Sequence, residues 1–141
     1  MNQHSQSELI SDDELLARFI TRRDWMRHDG TLRPEAFFPP RDLQLSVTRH
    51  GNLSMEQLWQ LGRDVANVIA EKRSAGLFGR ADLQVKTVTR LNLKTEVAPL
   101  PGNPNHAHIT GWSSDKSAWK AVLLELANAA QVIRIPMPAG S

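Results

Sequence analysis

The sequence predicts an α+β domain: a two-layer sandwich in which a mostly antiparallel sheet of three to five strands is covered by two long helices, with a short helix at the N-terminal end. Three observations carry that prediction. Residues 53–73 and 113–130 repeat apolar side chains at helical spacing behind residues that cap helices. Residues 43–49, 81–91, 93–100 and 106–110 alternate apolar with polar side chains or are rich in β-branched ones. The strand segments gather between helices instead of alternating with them, which favours an antiparallel sheet.

The elements follow in order. Ser11-Asp12-Asp13-Glu14 has the spacing of a capping box, with Ile10 and Leu15 placed for a hydrophobic staple. A short helix is therefore expected, with Leu15, Leu16, Phe19 and Ile20 as its apolar stripe. Residues 27–40 read as a loop, since Asp29-Gly30 suits a turn and Pro34, Pro39 and Pro40 forbid a helix interior. Within it, Ala36-Phe37-Phe38 is expected to plug the core, with a partner-binding loop as the competing reading. Alternation over residues 43–49 predicts a strand. Ser54 and Gln57 then frame a second capping box, and Leu58, Leu61, Val65, Val68 and Ile69 form the buried stripe of a long helix with Trp59 at its edge. Residues 81–91 and 93–100 read as a hairpin turning at Asn92. Beyond Pro101, His106, His108 and Thr110 share one face of a strand, and Ala107 and Ile109 share the other. Ser113-Ser114-Asp115 caps the last helix, which carries Trp119, Val122, Leu123, Leu126 and Ala130 on one side. A short terminal strand at residues 132–135 completes the domain.

A chain of 141 residues is long enough for one self-sufficient core. The expected organisation is a single domain over residues 11–135, with flexible ends at 1–10 and 136–141. The absence of cysteine excludes a disulfide framework, a thiolate metal site and a cysteine nucleophile. No export signal is evident near the start, and no apolar run approaches the roughly 20 residues that span a bilayer. A cytoplasmic protein without membrane contact is the expectation. Seventeen basic residues against fifteen acidic ones leave a net charge of +2, too little to demand a nucleic-acid partner. Arginine dominates the basic set, and its planar fork of donors favours carboxylate or phosphate recognition.

Several residues invite a chemical reading. His106 and His108 supply two imidazoles from one strand, but zinc needs three or four ligands. His50, Asp82 and Glu96 are candidate third ligands, none nominated by spacing, so the expectation is no metal and no cofactor. His108-Ile109-Thr110 resembles the His-x-Thr element of two-histidine phosphoesterases, which need it twice, whereas one copy stands here. Histidine-triad hydrolases would place a further histidine where Thr110 sits. Thr48-Arg49-His50-Gly51 resembles the start of an ADP-ribosyltransferase cleft without the rest of that pattern. Neither the phosphate-loop nor the serine-hydrolase elbow motif occurs. Arg18, Arg22, Arg23 and Arg27 surround Trp25, a pattern that suits gripping a nucleic-acid strand. Acidic neighbours at Asp12, Asp13, Glu14, Asp24 and Asp29 favour instead a solvated helix face with local ion pairs.

The segments Arg18-Phe19-Ile20, Arg33-Pro34-Glu35-Ala36-Phe37, Leu45-Ser46-Val47-Thr48-Arg49, Gly79-Arg80-Ala81-Asp82 and His106-Ala107-His108-Ile109-Thr110-Gly111-Trp112 together resemble a group of small bacterial proteins with no established activity. The resemblance covers residues 14–132 and implies neither a reaction nor a catalytic residue.

Three functional readings follow. The first is a non-catalytic accessory protein that binds another protein, recognising it through a polar patch formed by Arg49, Arg80, Asp82, His106, His108 and Trp112. The second is a small enzyme holding a phosphate or nucleotide there, with His106 or His108 as general acid or base. The third is nucleic-acid binding through Arg18, Arg22, Arg23, Trp25 and Arg27.

Overall fold

Residues 15–20, which helical periodicity assigns to a first helix, form a strand at the centre of the sheet. The computed structural model describes residues 10–136; the expected flexible ends fall almost wholly outside the described residues. Strand β1 (Leu15–Ile20) pairs antiparallel with β2 (Leu45–Arg49) on one side and β3 (Gly79–Gln84) on the other. Helix α1 (Met55–Ala70) connects β2 to β3, and α2 (Val85–Arg90) follows β3 directly. Strands β4 (Lys94–Val97) and β5 (His106–Thr110), helix α3 (Trp119–Ala129) and β6 (Gln131–Arg134) complete the order. The result is a single-domain α+β fold whose six-stranded antiparallel sheet runs β4-β5-β2-β1-β3-β6.

The expected sandwich, with two long helices over one face and a short helix at the N-terminus, does not form. Side chains of directly paired residues share a face of the sheet. Ala17 and Phe19 meet Leu58 of α1 on one face, flanked by Leu53, Leu61 and Val65. Leu16 and Ile20 meet the main core on the other, with Leu45, Ile109, Leu123 and Leu126. The helices therefore lie on opposite sides. β1 is buried on both faces, so its apolar residues do not alternate and a strand cannot be told from a helix by periodicity. Six residues of pairing with β3 decide for the strand.

The N-terminal capping box fails for a related reason. Glu14 does not reach back to Ser11; its carboxylate binds Arg49 instead. The expected hairpin over residues 81–100 is also replaced. β3 ends where its partner ends, at the Leu15–Gln84 pair, and Val85 and Val88 then turn one helical face into the core. Thr89 Oγ1 bonds back to the Val85 carbonyl at 3.2 Å, satisfying a β-branched residue within a helix. Asn92, at φ 63°, makes the left-handed turn into β4. Two readings of local chemistry stand, while Asp115, expected to cap the last helix, caps the 3-10 turn Lys116–Ala118 before it. Ser54 and Gln57 form both hydrogen bonds of the capping box, and Phe37 is fully buried. Phe38 is not part of a plug: it is half exposed, edge-on to Trp119. Val68, expected in the buried stripe of α1, faces solvent.

Candidate functional site

Helix α1 covers only part of its face. Register places Gln131, Asp82, Ala17, Thr48 and His106 in one row across the sheet, all on the α1 side. A second row on that side runs through Ile133, Arg80 and Phe19 in the half of the sheet under α1. In the other half, Ser46, His108 and Glu96 are consecutive cross-strand partners, and Thr110 pairs with Lys94. Ser46, Lys94 and Glu96 are exposed, and His106, His108 and Thr110 are half buried. This uncovered polar half-face is the candidate site.

Its two imidazoles are held in defined orientations. His106 Nδ1 lies 2.9 Å from the carbonyl of Ala98, just beyond β4. A carbonyl only accepts, so Nδ1 carries the hydrogen, and Nε2 is the ring nitrogen left to face outward partners. The His108 ring packs edge-on at 4.8 Å between centroids and 88° between planes. Burial lowers the His108 pKa, and the charge of His106 lowers it further, outweighing the opposite pull of Asp42 and Glu96. Behind the pair, Asn103 Nδ2 donates to Thr48 Oγ1 at 2.9 Å, and the Asn103 side chain accepts from the Asn105 amide. The turn that launches β5 is thereby fastened to β2.

The structure does not bring Arg49 and Arg80 to these histidines. Arg49 pairs with Leu16 in the register and so belongs to the opposite face. There its guanidinium forks onto Glu14 at 2.6 and 3.0 Å. Arg80 and Asp82 share the face of the histidines, but β1 and β2 intervene. Three inter-strand steps of about 4.8 Å put Asp82 roughly 14 Å from His106. Arg80 is 4% exposed beneath α1, 4.7 Å from the centre of the Trp59 ring, and its Nε donates to both oxygens of Asp82. His50, from the end of β2, donates from Nε2 to Asp82 Oδ1 at 3.0 Å. Trp112 is a core residue: it is buried, donates to the Ile109 carbonyl and lies 6.2 Å from the Trp119 ring.

The arginine cluster is dispersed as well. Arg18 lies on the core side of β1, donating to the carbonyls of Ala36 and Ser46, and burial lowers its pKa to about 10. Arg22 is paired with Asp24, Arg23 lies over the Phe78 ring, and Arg27 donates to Thr31 Oγ1 and the Leu32 carbonyl. Trp25 is half buried with Arg18 against it. No helix presents these residues together; they span the end of β1 and a 3-10 turn, Arg23–Trp25.

Sequence reasoning missed Ser46 and Lys94, although the alternation of residues 43–49 already put Ser46 on a face with Thr48. It also did not pair His50 with Asp82, two residues 32 positions apart. Among the described residues no group of three or more His, Cys, Asp or Glu side chains is placed to hold a metal ion. No helix among them is long and apolar enough to cross a membrane. Comparison with protein-family models, with curated proteins and with solved structures found no match to this chain.

Proposed function

We propose that this protein is a non-catalytic interaction domain of a bacterial cytoplasm, binding another protein over the uncovered half of its sheet. The carrying observation is the composition of that half-face. Two imidazoles in edge contact are bordered by Ser46, Thr110, Lys94 and Glu96, so the surface carries both charge signs and no guanidinium. Such a surface matches the mixed donors and acceptors of a protein better than a polyanion. Buried polar side chains beneath the sheet are satisfied internally; among the described residues Thr95 Oγ1 alone lacks a partner, and it belongs to the opposite face. The alternative of a phosphate-handling enzyme draws no support from Arg49 or Arg80, whose guanidinium groups already hold Glu14 and Asp82.

The experiment compares immobilised wild type with Ser46→Arg and His108→Glu, both of which alter the half-face without touching the core. Wild type retains a specific protein from lysate of its own cells, and each variant loses it. Equal retention by the variants, or a nucleotide-induced rise in melting temperature abolished in Arg49→Ala, overturns the proposal.

A further inference from the structure

A second surface lies on the arm that leaves β1. After Ile20 the chain makes the 3-10 turn Arg23–Trp25, runs out to a turn at Gly30 (φ 88°) and comes back alongside itself. Backbone bonds from Arg27 N to Thr31 O, at 2.8 Å, and from Arg33 N to Trp25 O, at 2.7 Å, fasten the two limbs. The Met26–Leu32 bridge lies between them. Two adjoining concavities, of about 310 and 630 Å³, flank the arm and share Asp24 and Arg33 as walls.

The charges of this arm are unevenly neutralised. Arg22 and Asp24 form a bidentate pair at 2.9 and 3.1 Å. Asp29 is turned into its own loop, accepting from the amide and hydroxyl of Thr31, which lowers its pKa. Arg23, Arg27 and Arg33 are all exposed, and none has a carboxylate within 4.0 Å among the described residues. Elsewhere the half-buried Arg49 and the buried Arg80 each hold an acid. Arg23, Arg27 and Arg33 line the larger concavity, and Arg33 lines the adjoining smaller one together with the half-buried Trp25 ring and Glu35, so the arm combines the two elements that hold single strands: spaced cations for phosphates and an aromatic plane for a base. The arm is itself a two-limbed ribbon joined by one bridge, so the choice of a single strand over a duplex rests on the aromatic plane of Trp25.

We infer that the arm over residues 22–35 binds a single strand of nucleic acid, with Arg23, Arg27 and Arg33 on successive phosphates and Trp25 offering a stacking surface. This site is separate from the histidine half-face and does not rest on it. Arg33 is the cleanest probe, because its side chain makes no hydrogen bond among the described residues.

Fluorescence anisotropy of a labelled 12-nucleotide oligo-dT, titrated from 50 to 300 mM KCl, tests it. Three phosphate contacts predict a slope of log K against log salt of about −2, since each contributes about −0.7 on a single strand. Arg23→Ala/Arg33→Ala brings the slope to about −0.7 and weakens binding at least tenfold at low salt. Arg63→Ala, on the exposed side of α1, removes the same charge and changes neither. Circular dichroism verifies that the variants are folded; should the double variant unfold, Arg33→Gln alone lowers the slope by about 0.7. Absence of binding at 50 mM salt, a slope unchanged in the arginine variants, or equal affinity for duplex DNA or tripolyphosphate overturns the inference.

Discussion

Replacing Asp82 by asparagine tests whether His50, Arg80 and Asp82 form a structural cluster or an idle functional site. The change preserves volume but removes the charge that faces a guanidinium only 4% exposed. Asp82 accepts three contacts: Arg80 Nε at 3.2 and 3.1 Å, and His50 Nε2 at 3.0 Å. An asparagine offers one acceptor oxygen and turns an N–H₂ donor towards the other donors. Breaking a buried pair by removing one partner costs about 3–5 kcal/mol, because the remaining charge stays buried and unpaired. With an unfolding entropy of about 2.1 cal/mol/K per residue over 141 residues, 1 kcal/mol is worth about 3 °C. The melting temperature should therefore fall by about 10–15 °C in a calorimetric or fluorescence melt, with a matching loss in urea titration. The double variant Arg80→Met/Asp82→Leu supplies the decisive comparison. Both charges leave together, the Trp59 ring keeps an apolar neighbour, and His50, at 13% side-chain exposure, can turn towards water. It should recover most of the loss, ending within about 1–2 kcal/mol of wild type, as replacing a whole buried pair by apolar groups does. A single-variant cost below about 1 kcal/mol, or a double variant as unstable as the single, refutes the assignment of these residues to the fold.

Two further outcomes follow from the same geometry. Burial and the neighbouring His106 charge hold the His108 pKa below the ordinary 6.5, so the unfolded chain binds the proton more readily. Stability is accordingly lost as pH falls through 6.5 towards the folded pKa, and His108→Gln removes that increment; an NMR titration placing the His108 ring at or above 6.5 would falsify it. Gly62→Ala tests the placement of α1, because an added Cβ would sit 2.8 Å from two carbons of the Phe19 ring. A cost of about 1–3 kcal/mol by urea titration is expected for such overpacking, and a neutral result would deny that α1 packs on β1.

The parts of this fold legible in the sequence are those decided by neighbours along the chain. The Ser54 capping box needs only the four residues from Ser54 to Gln57, and both of its bonds form, at 2.9 and 3.1 Å. The alternation of His106, Ala107, His108, Ile109 and Thr110 likewise shows in burial, with Ala107 and Ile109 fully enclosed. What stayed hidden depends on partners far away in sequence. Leu15–Ile20 has no face to advertise, because side chains of α1 and α3, both distant in sequence, bury its two sides. Val85–Arg90 suits a strand by its β-branched residues, and only the lack of a strand partner beyond Leu15 turns it into a helix. Charges obey the same division. Arg49 finds Glu14 35 residues away and His50 finds Asp82 at 32, so no local pattern shows that these groups are spent inside the fold.

That internal pairing explains why two surfaces with unlike chemistry emerge from one small domain. β1 and β2 separate the buried Arg80–Asp82 cluster from the histidine rows, and α1 closes over the charged side alone. The open side is left with imidazoles, hydroxyls and one charge of each sign, so its long-range field is weak and recognition there depends on contact geometry. The arm beyond Ile20 has the reverse balance. Its arginines outnumber the acids able to reach them, so its attraction extends about a Debye length, roughly 8 Å at physiological salt, and fades as salt rises. The two surfaces must then differ in one measurable respect. Binding through the histidine half-face should change little between 50 and 300 mM salt, while binding at the arm should weaken along the slope set by its unpaired guanidinium groups. A partner of the half-face with the steeper dependence would show that its recognition runs through the arm instead.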